Sequence, residues 1–594
     1  MSRRKSVRLS ISLICFLLGF SFFTLFALSL RLHFAFPIEL YYLSFVLVSL
    51  PLILNVFFWH DSKRISLISL LAFSVLISLQ YAVVDTSPVL WSSDATFDYK
   101  LTSQIISDSK WKVGVGEGDV FDYSSYPISN MLYAAFSMLT GIPLVFVVKY
   151  LLVIRAIIVV PVYKLFSRFF SERVSYLAAL IFLASPGAVL WPHKQELAMI
   201  FFVLGIYAMI NTSRHDDGRY SFLGFLSAIV LIMTHHFSSY IFLALITVVF
   251  VAGYFLKFKT VSSISITGIW VFFASWTVFV SWEITKSLEL RYLIDSLSRV
   301  FTPSELTNQI SQTMFSYPPY QTIIADVGLV IIGLSATLGL LYYLTSEKKA
   351  SPQFKAATLF MFVLLVFASA LRFTSSPIRG DMPLRTFEFG FLFVAPLSAF
   401  FFIKVSSRNL GRILGAVVKF SATSAVAIVL LSAIVLGALN PWTINIHPVS
   451  TVSSPENYSR ASLSFEDWLR NSSSNDSVTI GDRLVYNILY GYGGREVVWT
   501  YPYLYYANDL EPQDFGSLRS YLYENQSLYG GNPYIAVYSY MMKTAPNFGG
   551  SYTDVMIGRP LNGTQVEKFD DCPCLQRIYS SNTFTLYLPS SEKP

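Results

Sequence analysis

The chain has 594 residues, 54% of them hydrophobic and only 13% Asp, Glu, Lys or Arg. Soluble domains carry about 25% charged residues, so the composition excludes an ordinary soluble enzyme and points to a polytopic membrane protein. The formal net charge of +7 is not a nucleic-acid footprint: the basic residues fall mostly in short loops between apolar runs, and the segment after Asn440 is mildly acidic. No nucleic acid is expected as a partner.

The N-terminus reads MSRRKSVR and then runs apolar to Leu30. At about 1.5 Å per residue this is long enough to cross a bilayer, and too long for a signal-peptide core. Arg3, Arg4, Lys5 and Arg8 hold its start in the cytoplasm. A second span, Ile38 to Phe58, returns to the basic turn HDSKR, and a third, Ile65 to Val84, leads out again. The first large outer loop, 85–127, follows with Asp85, Asp94, Asp98, Asp108, Glu117, Asp119 and Asp122. Pro127 to Thr140 is apolar but too short to span, and reads as a helix lying in the interface.

Ten further apolar runs bring the total to about thirteen, the last from Ile413 to Leu439. Every expected inner turn after the first span is basic, in keeping with the positive-inside rule. A second outer loop covers 283–320. The fold class expected is therefore an α-helical polytopic membrane protein over 1–439, embedded in the plasma membrane with its N-terminus cytoplasmic. An odd number of spans places 440–594 outside, as an extracytoplasmic α/β domain. Within that tail, Phe465 to Leu469 reads as helix, and Ser477 to Asp482, Tyr534 to Tyr540 and Thr583 to Leu588 read as strands. Five Asn-X-Ser/Thr acceptors, at Asn457, Asn471, Asn475, Asn525 and Asn562, cluster there. Cys572 and Cys574 form a Cys-Pro-Cys, too few ligands for a metal site, leaving a strained disulfide or two free thiols.

Charged groups at a membrane edge are costly unless solvated or paired. Asp94 and Asp98 are four residues apart and share a face on a helix. They suit a general base, a divalent-cation site (Mg or Mn), or one of each. On the same side lie Arg372, Arg379 and Arg385, whose guanidinium forks suit phosphate oxygens. His193, Lys194 and Glu196 follow a proline at a span end and are candidates for binding substrate or lipid phosphate, the bland alternative being interfacial solvation. His235 and His236 are adjacent, so on a helix they point about 100° apart and serve a cavity singly rather than as joint metal ligands. The bland alternatives are a helix N-cap for Asp94, a solvated face for Asp98 and snorkelling for the arginines.

The run SDATFDYKLTSQIISDSKWKV, followed by SSYPISNMLYAAFSMLTGI, resembles the first catalytic loop of the GT-C superfamily of polytopic glycosyltransferases, which includes the protein O-mannosyltransferases and the lipid A aminoarabinose transferases. The matching features are Asp94, Trp111, Tyr126-Pro127 and Thr140-Gly141, and SPGAVLWPHKQELA extends the likeness. The resemblance covers residues 85 to 210, the remaining spans matching in general architecture. It implies a polyprenyl (dolichyl)-phosphate sugar as donor, an outer-face glycan, lipid or protein acceptor, inversion at the anomeric carbon, Asp94 as general base and basic residues on the leaving phosphate. It also suggests an archaeal source. The sequence departs from the pattern in two ways. Asp94-Ala95 replaces a frequent Asp-Glu pair, and an extra pair of spans precedes the one before the loop. The oligosaccharyltransferase motif Trp-Trp-Asp-Tyr-Gly is absent. Outside this resemblance, two readings stay open: a transporter or lipid-handling protein, and a catalytically silent scaffold with an outer binding domain. The first needs charge within the spans, where Lys149 and Arg155 are the exceptions to an otherwise apolar pattern.

Overall fold

The computed structural model describes residues 3–32, 37–59, 63–84, 93–113, 123–184, 194–215, 218–282, 285–286, 319–346, 351–370, 381–407 and 412–439. In the tail it describes 455–472, 478–482, 497–498, 503–506, 509–511, 513–515, 517–518, 533–542, 547–548, 556–557, 561–581 and 583–589, with single residues at 485, 489 and 520. The second outer loop lies outside the described residues, apart from 285–286 and its last two positions.

All thirteen apolar runs are helical. They form α1 (Arg3–Leu32), α2 (Ile38–Leu54), α3 (Lys63–Val84), a broken fourth run, α8 (Glu172–Leu183), α9 (Lys194–His215), α10 (Gly218–Ile232), α11 (His236–Leu256), α12 (Ser263–Phe279), α13 (Pro319–Ser346), α14 (Pro352–Ala370), α15 (Asp381–Ser406) and α16 (Arg412–Leu439). The fourth run consists of α6 (Leu144–Tyr150), a 3₁₀ segment (Leu151–Ile158) and α7 (Val159–Phe166). Between the third and fourth lie α4 (Ser93–Asp108) and α5 (Ile128–Thr140). Among the described residues, eight helical segments are long and apolar enough to cross a membrane, and three shorter apolar helices accompany them. The protein is thus a polytopic helical membrane protein.

The chain folds as two compact units: 1–85 with 150–447, and 86–149 with 448–594. The first is the helical bundle. From Thr386 to Phe402 its α15 is apolar apart from Glu388 and mostly buried, including Phe389, Leu392, Ala395, Leu397 and Phe400, as an apolar helix within a bundle must be. By contrast, α1 and α16 leave Leu17, Ile413 and Phe420 exposed, faces that suit lipid. Lipid tails are as apolar as leucine, so close packing and polar stitches hold such helices together. Between α13 and α15, Ser335 Oγ lies 2.8 Å from Ser398 Oγ, and Ser398 Oγ donates to Ile332 O at 3.2 Å. One turn on, a Cβ at Gly339 would lie 2.2 Å from Leu397 O, so only glycine permits this approach.

The second unit joins the first outer loop to the tail. It contains α4, α5, α17 (Pro455–Ser472), α18 (Gly563–Asp571) and seven strands: β1 (Thr479–Ile480), β2 (Val497–Val498), β3 (Tyr534–Tyr538), β4 (Asn547–Phe548), β5 (Met556–Ile557), β6 (Leu575–Ser580) and β7 (Phe584–Pro589). Five strands form a sheet in the order β2-β1-β3-β7-β6, with β1 parallel to both neighbours and the β3-β7-β6 edge antiparallel. Phe465 of α17 stacks on Phe584 of β7 at 4.8 Å. The Tyr505 hydroxyl lies 3.1 Å from Ile480 O and 2.8 Å from Ala536 O, linking β1 to β3. Phe97 of α4 is buried in this same core. Asn562 caps α18 in a reciprocal capping box with Gln565, and Cys572 and Cys574 form a disulfide directly after it.

Gly339→Ala therefore lowers the melting temperature of the detergent-purified protein, at a cost of about 1–3 kcal/mol for forcing α13 and α15 apart. Gly333→Ala in the same helix, where a Cβ meets nothing within 4 Å, leaves it unchanged or raises it through helix propensity. A thermal-shift comparison of the two variants checks this.

Candidate functional site

The loop site is built on α4 and α5. Asp94 lies in the first turn of α4 and Asp98 one turn later. Asp98 is 1% exposed. Its Oδ1 accepts from Asn130 Nδ2 of α5 at 3.0 Å, and the same amide reaches Asp98 O at 3.1 Å and Thr102 Oγ1 at 3.2 Å. Thr102 Oγ1 in turn donates to Asp98 O at 2.5 Å. Asn130 is the clamp that fixes the crossing of the two helices. Beside it, Tyr133 is fully buried, and its hydroxyl has no hydrogen-bond partner among the described residues. Burial first, and then the Asp98 charge, push that hydroxyl well above the ordinary tyrosine range.

Beyond α4, Trp111 Nε1 donates to Ser124 O at 2.7 Å, closing the loop back on itself just before Tyr126-Pro127. The α5 helix ends at Gly141, whose φ of +72° is the left-handed cap glycine favours. Its Met138 and Leu139 are 62% and 87% exposed, the apolar face expected of an interfacial helix. Together these contacts set α4 as a rigid arm, held at its first turns by Phe97 in the tail core and by Asn130 from α5.

A second cluster lies within the bundle. Arg155 sits in the 3₁₀ segment of the fourth run. Its Nε is 2.7 Å from Glu196 Oε2 of α9, and its Nη2 is 4.0 Å from Glu388 Oε1 of α15. Gln195 Nε2 donates to Glu388 Oε2 at 2.5 Å. Arg155, Lys194, Gln195, Glu196 and Glu388 are all more than nine-tenths buried. Glu196 occupies the first turn of α9, where the helix dipole favours a negative charge. The 3₁₀ break leaves carbonyls without α-helical partners, and Ser74 Oγ of α3 donates to one of them, Ala156 O, at 3.0 Å.

The structure places the remaining candidates as follows. His235 is buried and caps α11, its Nδ1 accepting from Ser238 N at 3.3 Å and lying 2.8 Å from Ser238 Oγ. Its ring lies 4.9 Å from that of His236. Arg385 lies in the first turns of α15. His193, Arg372 and Arg379 lie outside the described residues. Sequence reasoning named Glu196 but missed Gln195 and Glu388, which complete the cluster, and it missed Asn130 and Tyr133. A signal was available for Glu388: a lone carboxylate in an apolar span requires a partner. Among the described residues, no three His, Cys, Asp or Glu side chains converge as a cation site would need. The described Asp98 carboxylate is buried against an amide donor instead.

No protein-family model and no curated protein sequence matches the chain. Solved structures do. The oligosaccharyltransferase of Archaeoglobus fulgidus in its apo form is similar, with a TM-score of 0.54 at 13% identity over 81% of this chain and 70% of that one. AglB of the same organism, in complex with an inhibitory peptide and a dolichol-phosphate, gives 0.53 at 13% identity over the same shares. ArnT from Cupriavidus metallidurans, bound to undecaprenyl phosphate, gives 0.50 at 10% identity over 89% of this chain and 99% of that one. At such identity the likeness is one of fold, and it is the GT-C fold implied by the motifs of the loop.

Arg155→Gln leaves the Glu196 carboxylate buried without its cation, which costs about 3–5 kcal/mol. Adding Glu196→Gln to that variant restores part of the loss. A double-mutant cycle on melting temperature checks the coupling; additive effects would show that the pair is not interacting.

Proposed function

We propose that this chain, an integral membrane protein with the GT-C fold, is a glycosyltransferase that moves a sugar from a polyprenyl-phosphate carrier to an extracytoplasmic acceptor. The observation that carries this reading is the fold match along 81–89% of the chain to solved structures that include two in complex with polyprenyl phosphates. The carboxylate helix α4 supports it, standing where the resemblance puts the catalytic loop.

In this mechanism Asp94 takes the proton from an acceptor hydroxyl. The freed oxygen attacks the anomeric carbon from the face opposite the phosphate. The bond from that carbon to the phosphate oxygen breaks, the electron pair leaves with the polyprenyl phosphate, and the configuration inverts. Arg372, Arg379 and Arg385 neutralise the developing phosphate charge. Asp98, gripped by Asn130, orients the arm that carries Asp94. Lys194, Glu196, His235 and His236 serve the outer end of the bundle as positioning groups. No step is routed through a divalent cation. Acceptors of three classes, glycan, lipid or protein, fit this chemistry.

Asp94→Asn lowers transfer by about 10²-fold or more, the usual share of a general base, with melting temperature and co-purified lipid unchanged. The assay is turnover on a panel of polyprenyl-phosphate sugars. Near-full activity of this variant would sink the assignment, and no turnover by the wild type on any donor would shift the balance to a transporter or scaffold. Arg379→Ala, in the same assay, raises the apparent KM for donor with a smaller effect on kcat. An unchanged KM would remove the arginine from the phosphate site.

A further inference from the structure

The bundle holds an apolar pocket open on one side, lined by none of the charge cluster just described and walled by α7, α9, α11, α14 and α15. Phe166, Met209, Ile246, Phe250, Phe354 and Ala357 line it. Thr260 and Val261 of the turn after α11 and Gln353 also line it, and Gln353 Nε2 donates to Lys259 O at 2.8 Å. Such a lining does not hold water, and a void leaves its walls without dispersion partners. A flexible apolar chain removes both penalties.

Two features say which chain. The first is depth. The lining reaches Leu245, eleven residues before the end of α11 at Leu256, or about 16 Å at 1.5 Å per residue. A hydrocarbon core is about 30 Å thick, so the cavity extends from one face to the bilayer midplane, the depth of one leaflet. The second is charge. Lys257 and Lys259 are exposed on the turn that contributes Thr260 and Val261 to the lining, Lys355 is half-buried two residues beyond Gln353, and Arg168 lies between the lining residues Phe166 and Phe169. The run 257–263 contains no acidic residue. Basic turns of this kind face the cytoplasm, whose leaflet is rich in anionic lipid.

We propose that this cavity holds an acyl chain of an anionic phospholipid of the cytoplasmic leaflet, with its phosphate against the rim of Lys257, Lys259 and Lys355. The site is separate from the outer-face chemistry and does not depend on it.

The test is native mass spectrometry of the full-length protein in detergent, incubated with equimolar phosphatidylglycerol and phosphatidylcholine of matched acyl chains. The expected result is retention of phosphatidylglycerol over phosphatidylcholine by about fivefold or more, given the attraction of each lysine for an anionic headgroup. The double variant Lys259→Glu, Lys355→Glu removes that preference, and Ala357→Trp, which fills the cavity, removes the retained lipid. The single variant Lys259→Glu, at an exposed position, weakens the preference in the same direction, so the test stands even if the other variants do not fold. Equal retention of the two lipids, or a preference that the charge variants leave intact, overturns the proposal. So does displacement of phosphatidylglycerol by undecaprenyl phosphate at this site, which would identify the occupant as a carrier lipid.

Discussion

A hydrocarbon layer offers no hydrogen bonds, and that constraint organises most of this protein. Every backbone polar group in the layer must find its partner within the protein, which is why the apolar runs are helices and why departures from regular helix are compensated. The clearest departure is the 3₁₀ segment Leu151–Ile158, where Ser74 supplies a donor to Ala156 O. The same segment carries Arg155, and the same logic governs its charge. A guanidinium buried in a bundle is tolerable only with carboxylates, so Glu196 from α9 and Glu388 from α15 are drawn to it. Gln195 completes the set by donating to Glu388. One charge thus ties three spans at a single level.

The second unit obeys the rules of water. Its sheet buries Ile480, Ile535 and Leu586 against α17 and α18 in an ordinary α/β core. Phe97 extends that core to the first outer loop, so the arm bearing Asp94 is anchored by the tail rather than by its own short contacts. Catalytic groups are effective when packing locks their supports. Here Asn130 fixes Asp98 through both its side chain and its backbone carbonyl, and Trp111 pins the loop's return. A carboxylate one turn before such a clamp stands on a fixed base.

How legible this was follows from the range of each interaction. The spans could be read because their signal is local: a run of about twenty apolar residues, closed by basic turns, needs no knowledge of its neighbours. The interfacial helix Ile128–Thr140 could be read by the same test of length, and so could the strand around Ile480 by its apolar run before Gly481. The cap of Gly141 follows from the residue itself. The charge partners could not be read in this way, because Gln195 and Glu388 are 193 positions apart and nothing in either neighbourhood names the other. Nor could β2, whose two residues carry no periodicity and exist as strand only because β1 lies beside them. His235 carries a further role that the sequence did not name: its Nδ1 caps α11 by accepting from Ser238 N.

The buried cluster is also the feature on which a transporter reading would rest, and its geometry argues for a lock. A transport pathway requires an element with two arrangements of similar energy, and charges along it face water or a cavity in at least one of them. Arg155, Glu196 and Glu388 are each less than a tenth exposed, and none lines the apolar cavity of the bundle. Separating the guanidinium from its carboxylates would leave bare charge in a medium that cannot solvate it, at a cost comparable to a large part of a domain's net stability. A site that costly to open holds helices in place. Fixed spans and an anchored carboxylate arm are what the proposed transferase requires, its charged groups staying where they are.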